Sequence, residues 1–229
     1  MKQDDELEPV RLRFAEHQRK TDDAHRAIGR YIVQFSQLVM RMRQLIEERL
    51  RRQNDSPDLM AMALGNMAAG EIAALFFGLC KSITALDGDE LVISKRLAEK
   101  VGFWAIPARN DIAHGDWIVE LSSMIRGPGP ATYITRTSTK TGVGRHATER
   151  TPADLDGMSD QLERLCLAVM EFGMICFELH PLQVDGSHPK LTVSDIFTVE
   201  GPKTKRRIFR HGPAAGAISF GLGGPPNGI

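Results

Sequence analysis

Cysteine is scarce in this 229-residue chain, which has only Cys80, Cys166 and Cys176. Their odd number, their apolar surroundings and the lack of a CxxC spacing exclude a disulfide framework and a zinc site of that kind. Net charge is missing as well, because Lys plus Arg and Asp plus Glu both number 29. Any contact with nucleic acid must therefore come from local basic clusters. No apolar run approaches the roughly 18 residues of a membrane span. The N-terminus lacks the apolar stretch of a signal peptide, so the cytoplasm is the expected address and no membrane partner is expected. HExxH is absent, and His17, His25, His146, His180, His188 and His211 are scattered without metal-ligand spacing. Gly142, Gly144 and the terminal glycines lack the context of a phosphate loop. No metal and no cofactor are expected, and there are no internal repeats.

What is present suffices for an ordinary core, with 42% hydrophobic and 25% charged residues. Residues 1–21 are polar and weakly patterned, and read as a mobile arm or a short extra helix. From Asp22 onward Ile28, Tyr31, Ile32, Phe35, Leu38, Val39, Met42, Leu45, Ile46 and Leu50 recur every three or four residues. This is one face of a long amphipathic helix. Ser56, Pro57 and Asp58 then supply a cap, a first-turn proline and an acid. The second helix, about 57–84, is rich in Ala and Gly, which suits close approach by neighbouring helices. A third is expected from about Asp89, with Pro107 interrupting it or starting a short helix that stops at Gly115.

Trp117 to Leu121 and Ala131 to Thr137 flank a turn-like stretch from Arg126 to Pro130, which predicts a β-hairpin. Thr151, Pro152 and Asp154 open the last helix with a capping-box pattern in which Asp replaces Glu. Its apolar seam runs Leu155, Met158, Leu162, Leu165, Val169, Phe172, Cys176 and Leu179, suited to the interior or to a second copy. A short extended segment, Leu191 to Val199, leads into a basic cluster and a Gly/Pro-rich end that reads as disordered, or as an arm that folds on a partner. The expected fold is mainly α: a helical bundle of four to five helices with a small hairpin insertion at about 117–137. The helical domain spans 22–182, between the N-terminal arm and a flexible tail over 183–229.

The most informative segment runs from Pro107 to Trp117. Its Arg109, Asn110, Asp111, Ile112, Ala113 and His114 resemble the RNxxxH signature of the HEPN superfamily. The resemblance extends in outline over about residues 22–182, where a long first helix, further helices, the motif and a closing helix follow in order. Asn110 and His114 lie four apart and share a helix face. Arg109 lies about 140° around from His114, within reach of its long side chain. The resemblance implies a HEPN-like helical bundle acting as a metal-independent endoribonuclease, usually a homodimer, with Arg109, Asn110 and His114 as catalytic residues. His114 would serve as general base or acid on the ribose 2′-OH or the leaving 5′-oxygen. Arg109 would hold the phosphate and Asn110 would orient phosphate or imidazole. Bacterial defence or a toxin–antitoxin system, with an antitoxin or operon-encoded protein as partner, is the setting the family implies.

The chain departs from the family in two places. Asp116 stands where toxins controlled by a nucleotidyltransferase have a tyrosine, and Val39 follows Phe35 to Leu38 where a related variant has a glutamate. The same motif also suits a plain helix C-terminus, since a histidine in the last turn complements the helix dipole. A non-catalytic HEPN-like module for dimerisation and for binding a partner or RNA is therefore the alternative. Lys203, Lys205, Arg206, Arg207 and Arg210, with Phe209 among them, are the candidate RNA-binding residues. Such runs are also common as solvated tails.

Overall fold

The computed structural model describes residues 2–52, 57–118, 133–138, 144–188, 190–200, 203–206 and 219–220. The architecture is mainly helical. Helix α1 spans Lys2–Arg51 and contains Pro9. The stretch expected as an arm or a separate short helix is thus the opening of α1. Packing divides the chain into two compact units: residues 1–35 with 107–162, and residues 36–106 with 163–229.

In the first unit the heptad-like face of α1 is buried at Ala24, Ala27, Tyr31 and Phe35. Ile112, Leu155 and Leu162 are its other buried apolar residues among the described ones. Arg30 reaches Asp156 at 3.1 Å and Asp160 at 2.5 Å. These partners are substantially exposed, so the pairs orient α1 more than they stabilise it. Strands β1 (Asp116–Ile118), β2 (Tyr133–Ser138) and β3 (Gly144–Glu149) form an antiparallel sheet in that order. Asp116 pairs with Thr135, and Tyr133 with Glu149. The expected hairpin is therefore a three-stranded sheet. Its third strand was unreadable because a GRHATE stretch shows no apolar alternation. Residues 119–132, including the expected turn from Arg126 to Pro130, lie outside the described residues.

The second unit corrects the expected helix over 57–84. Two helices stand there, α2 (Pro57–Gly65) and α3 (Ala69–Ile83). The chain leaves α2 through tighter bonds from Asn66 N–H to the Ala63 carbonyl and from Met67 N–H to the Leu64 carbonyl, both 3.3 Å. A new helix starts where the Ala68 N–H donates to the Glu71 carboxylate at 2.7 Å. Helix α4 (Gly88–Lys100) opens on a full capping box, with Glu90 N–H donating to Asp87 and Asp87 N–H to Glu90. The second Glu90 oxygen accepts from the Ser194 N–H at 3.1 Å, so this buried carboxylate serves two helix starts.

Pro107 does not break the chain of helical turns. A π-helical turn, Val101–Ala105, links α4 to α5 (Ile106–His114), with the Ile106 N–H bonding the Val101 carbonyl. Proline lacks a donor and crowds the preceding turn, and a widened turn is one way to carry a helix past it.

Helix α6 (Pro152–Cys176) opens on the predicted cap. Asp154 accepts from the Thr151 N–H at 2.8 Å and from its hydroxyl at 2.7 Å, and the Asp154 N–H donates back at 3.1 Å. These bonds hold the Asp154 carboxyl below its ordinary value. The cap's electrostatic contribution is thus present above pH 3.8 and is lost as pH falls below it. Thr151→Ala is expected to cost about 1 kcal/mol in urea unfolding at neutral pH. The loss should shrink once Asp154 is protonated.

The seam of α6 is used inside the protein, with Leu155, Leu162, Leu165, Val169, Phe172 and Cys176 all buried. Among the described residues the segment Pro152–Val184 is long and apolar enough to cross a membrane, yet half of its most apolar window is buried in the protein. Its apolarity serves the core. Helix α6 ends with the Leu179 N–H bonding the Met174 carbonyl and the Glu178 N–H bonding the Ile175 carbonyl. Glu178 adopts the left-handed φ of 57° at this cap, a place usually held by glycine.

In the second unit Phe76 packs edge-on against Phe77 and Phe177, with ring centroids 5.1 and 5.7 Å apart. Cys80 lies beside Cys176, and burial first, then this neighbour, pushes its thiol up. After the short helices α7 (Pro181–Val184) and α8 (Val193–Ile196), strands β4 (Phe197–Glu200), β5 (Lys203–Arg206) and β6 (Ser219–Phe220) form a second antiparallel sheet in chain order. The segment expected as extended, Leu191 to Val199, holds α8 and most of β4, the basic cluster supplies β5, and the Gly/Pro-rich end contributes the two residues of β6.

Candidate functional site

The end of α5 gathers the three motif residues. One Arg109 amino group, Nη1, donates to Asn110 Oδ1 at 3.2 Å and lies 3.3 Å from His114 Nε2. Guanidinium has no acceptor. The second contact is therefore a hydrogen bond only if Nε2 keeps its lone pair, as in the neutral ring protonated on Nδ1. Arg109 and Asn110 are half-buried, and His114 is exposed. The guanidinium carbon sits 6.0 Å from the Phe35 ring centroid, so α1 supplies an aromatic support for the cation.

The helix end is held by its neighbours in sequence. The Gly115 N–H bonds the Asp111 carbonyl at 2.9 Å, and the Trp117 indole N–H donates to the Ile112 carbonyl at 2.7 Å. The indole thus satisfies a last-turn carbonyl that the helix leaves open. The helix stops at Gly115 as expected, without a left-handed backbone there, since Gly186 is the glycine with positive φ among the described residues. The chain passes directly into β1.

Tyr31 of α1 is fully buried. Burial pushes its phenol far up, the Asp111 carboxylate adds to the shift, and the Arg150 cation opposes it. The phenol is therefore a permanent hydrogen-bond donor at physiological pH. Asp111, one residue beyond Asn110, brings negative charge to the same region. Together the guanidinium fork and the exposed imidazole can bind an oxyanion and exchange a proton with it.

Sequence reasoning named Arg109, Asn110 and His114, and the structure brings the three together. It overlooked Arg150, and it placed Tyr31 and Phe35 only in an apolar helix face. Their spacing of four puts both on that face, but the sequence does not show that α5 lies against it. Trp117 was read as a strand residue, and its indole proves to be a helix cap. Of the basic cluster, Lys203, Lys205 and Arg206 lie on β5, where Lys203 pairs with Glu200, Lys205 with Thr198 and Arg206 with Phe197. Arg207 and Arg210 lie outside the described residues. Among the described residues no group of three or more His, Cys, Asp or Glu is arranged to hold a metal ion. Comparison with known proteins finds no matching family model, no matching curated protein and no matching solved structure.

Proposed function

We propose that this chain is a metal-independent endoribonuclease of the HEPN type, with Arg109, Asn110 and His114 as its catalytic group. The observation that carries the reading is the 3.3 Å approach of Arg109 Nη1 to His114 Nε2 at an exposed helix end. A phosphodiester is a natural anion to insert there. One phosphoryl oxygen takes the guanidinium's donors, and Nε2 is released to face the ribose. His114 accepts the 2′-OH proton as the 2′-oxygen bonds to phosphorus. The bond to the 5′-oxygen breaks, and that oxygen takes a proton from His114 of a second copy or from water. The products are a 2′,3′-cyclic phosphate and a 5′-hydroxyl. Arg109 stabilises charge on the phosphoryl oxygens, and Asn110 steadies Arg109 through its carbonyl.

A homodimer, an RNA substrate, an antitoxin-like partner and a role in bacterial defence belong to the same proposal, as does RNA contact by the β5 cations. The test is incubation of the purified protein with cellular RNA in excess EDTA. Cleavage leaving cyclic-phosphate ends supports the reading, and intact RNA counts against it.

A second reading is favoured by the way Arg109 is held by Asn110, His114 and the Phe35 ring. In it, the motif only fastens α5 in a non-catalytic module that binds a partner or RNA. Arg109→Ala is then expected to lower the melting temperature by several degrees, a loss of about 1–2 kcal/mol. An unchanged melting curve would remove this reading.

A further inference from the structure

Phe103 stands in the π-helical turn and is 82% exposed, the highest value among the described large apolar residues. Period explains its direction. The buried face of α4 and of the turn runs through Ile93, Leu97, Val101 and Ala105 in steps of four. Phe103 lies two residues from each of the last two, roughly 180° around the helix, and so points away from the core. A single exposed apolar side chain is ordinary at a protein surface. This one has a cation beside it.

Lys100, three residues earlier on the same side of the helix, is half-buried, and its ammonium lies 4.5 Å from the Trp104 ring centroid. No carboxylate pairs with it among the described residues, and the adjacent acid, Glu99, is taken by Lys95 at 3.8 Å. Burial lowers the Lys100 ammonium's pKa. The indole face thus holds in place a cation that still lacks an anion. A Cβ added at Gly102 would meet nothing within 4 Å beyond its chain neighbours, so the surface next to Phe103 is open there.

These features suit one kind of ligand. A protein groove calls for further apolar anchors on this face, but the positions three, four, seven and eight before Phe103 are Lys100, Glu99, Arg96 and Lys95. A membrane surface calls for a broader apolar face than one ring. A nucleotide offers a flat base to the exposed ring and a phosphate to the ammonium, the combination by which single strands are held. In a duplex the bases stack on one another, and the ring has no base to receive.

We infer that Phe103 and Lys100 form a stacking site for an unpaired RNA base and its phosphate, so that this chain takes up RNA as a single strand. The inference rests on the RNA reading above and names its substrate class. It requires neither the Arg109 group nor turnover, so binding here and cleavage fail separately.

The experiment is fluorescence anisotropy with short labelled oligouridylate, with oligoadenylate and with the duplex they form. All proteins carry His114→Ala, so that the probes stay intact. Phe103→Ala is expected to weaken binding to either single strand by about 5- to 100-fold, the usual weight of one stacked base, and to leave duplex binding unchanged. Phe103→Trp should restore single-strand binding, and its indole emission should be quenched as the strand is added. Phe103→Leu should bind as weakly as Phe103→Ala, since leucine is apolar but not flat. Lys100→Met keeps a long stem on Trp104 and is expected to flatten the log–log salt dependence of single-strand affinity by about 0.7, the share of one phosphate contact. Melting curves of the Phe103 variants should match that of His114→Ala, because the ring is exposed. Single-strand binding that is absent, or unchanged in Phe103→Ala, would overturn the inference even if the parent cleaves RNA. Binding that depends on Phe103 while the parent leaves RNA intact would remove the nuclease and keep the site. Full binding by Phe103→Leu would overturn stacking, and an unchanged salt slope in Lys100→Met would overturn the phosphate contact.

Discussion

His114→Ala is expected to slow RNA cleavage by about 100- to 10,000-fold, the usual contribution of a placed acid or base. The fold should survive, because His114 is exposed and the last turn of α5 is also held by the Gly115 and Trp117 bonds. Equal circular dichroism and melting curves for parent and variant would establish that. Arg109→Lys is the companion experiment. Lysine keeps the charge but loses the planar fork, so it is expected to retain affinity for RNA while losing turnover. Cleavage by His114→Ala at the parent's rate would remove the catalytic assignment, whatever the parent does to RNA.

The largest expected change in stability lies at Gly173. A Cβ there would stand 2.5 Å from Phe76 Cζ and 3.0 Å from a Leu45 methyl. The Phe76 ring cannot easily yield, because it is fully buried and braced edge-on by Phe77 and Phe177. Gly173→Ala is therefore expected to destabilise by about 1–3 kcal/mol, even though alanine is the better helix former. For a chain of this size that is a fall in melting temperature of roughly 2–10 °C. Gly78→Ala is the control in the same unit. Its Cβ meets nothing within 4 Å, so the substitution should stabilise by about 0.5–1 kcal/mol. Opposite signs at the two glycines, read by calorimetry, would show that close approach sets the difference. Adding Phe76→Leu should recover part of the Gly173→Ala loss, as expected for residues in contact.

Much of the helical organisation was legible in local pattern. The α1 face from Asp22 onward, the cap at Thr151 and Asp154 and the seam of α6 each depend on residues a few positions apart. Backbone geometry alone places such residues together. The motif at Arg109, Asn110 and His114 was legible for the same reason, since its members share two turns of one helix.

The rest depended on partners distant in the chain. The break between α2 and α3 follows from packing and one carboxylate bond at Ala68, because Ala and Gly suit helix and break alike. Strands β3, β5 and β6 are polar or very short, and backbone pairing holds them in their sheets. The small residues of 57–84 were expected to mark close helix contact, yet Gly65, Gly70 and Gly78 have nothing near a built Cβ. That contact falls at Gly173 on α6. Near the motif, the sequence determined which side chains carry the chemistry. Only the tertiary structure decided that Phe35 supports the guanidinium, that the buried Tyr31 phenol feels the Asp111 carboxylate and that the Trp117 indole closes the helix. Composition and period specify which face of an element is apolar. Which element meets that face is settled by burial summed over the whole fold.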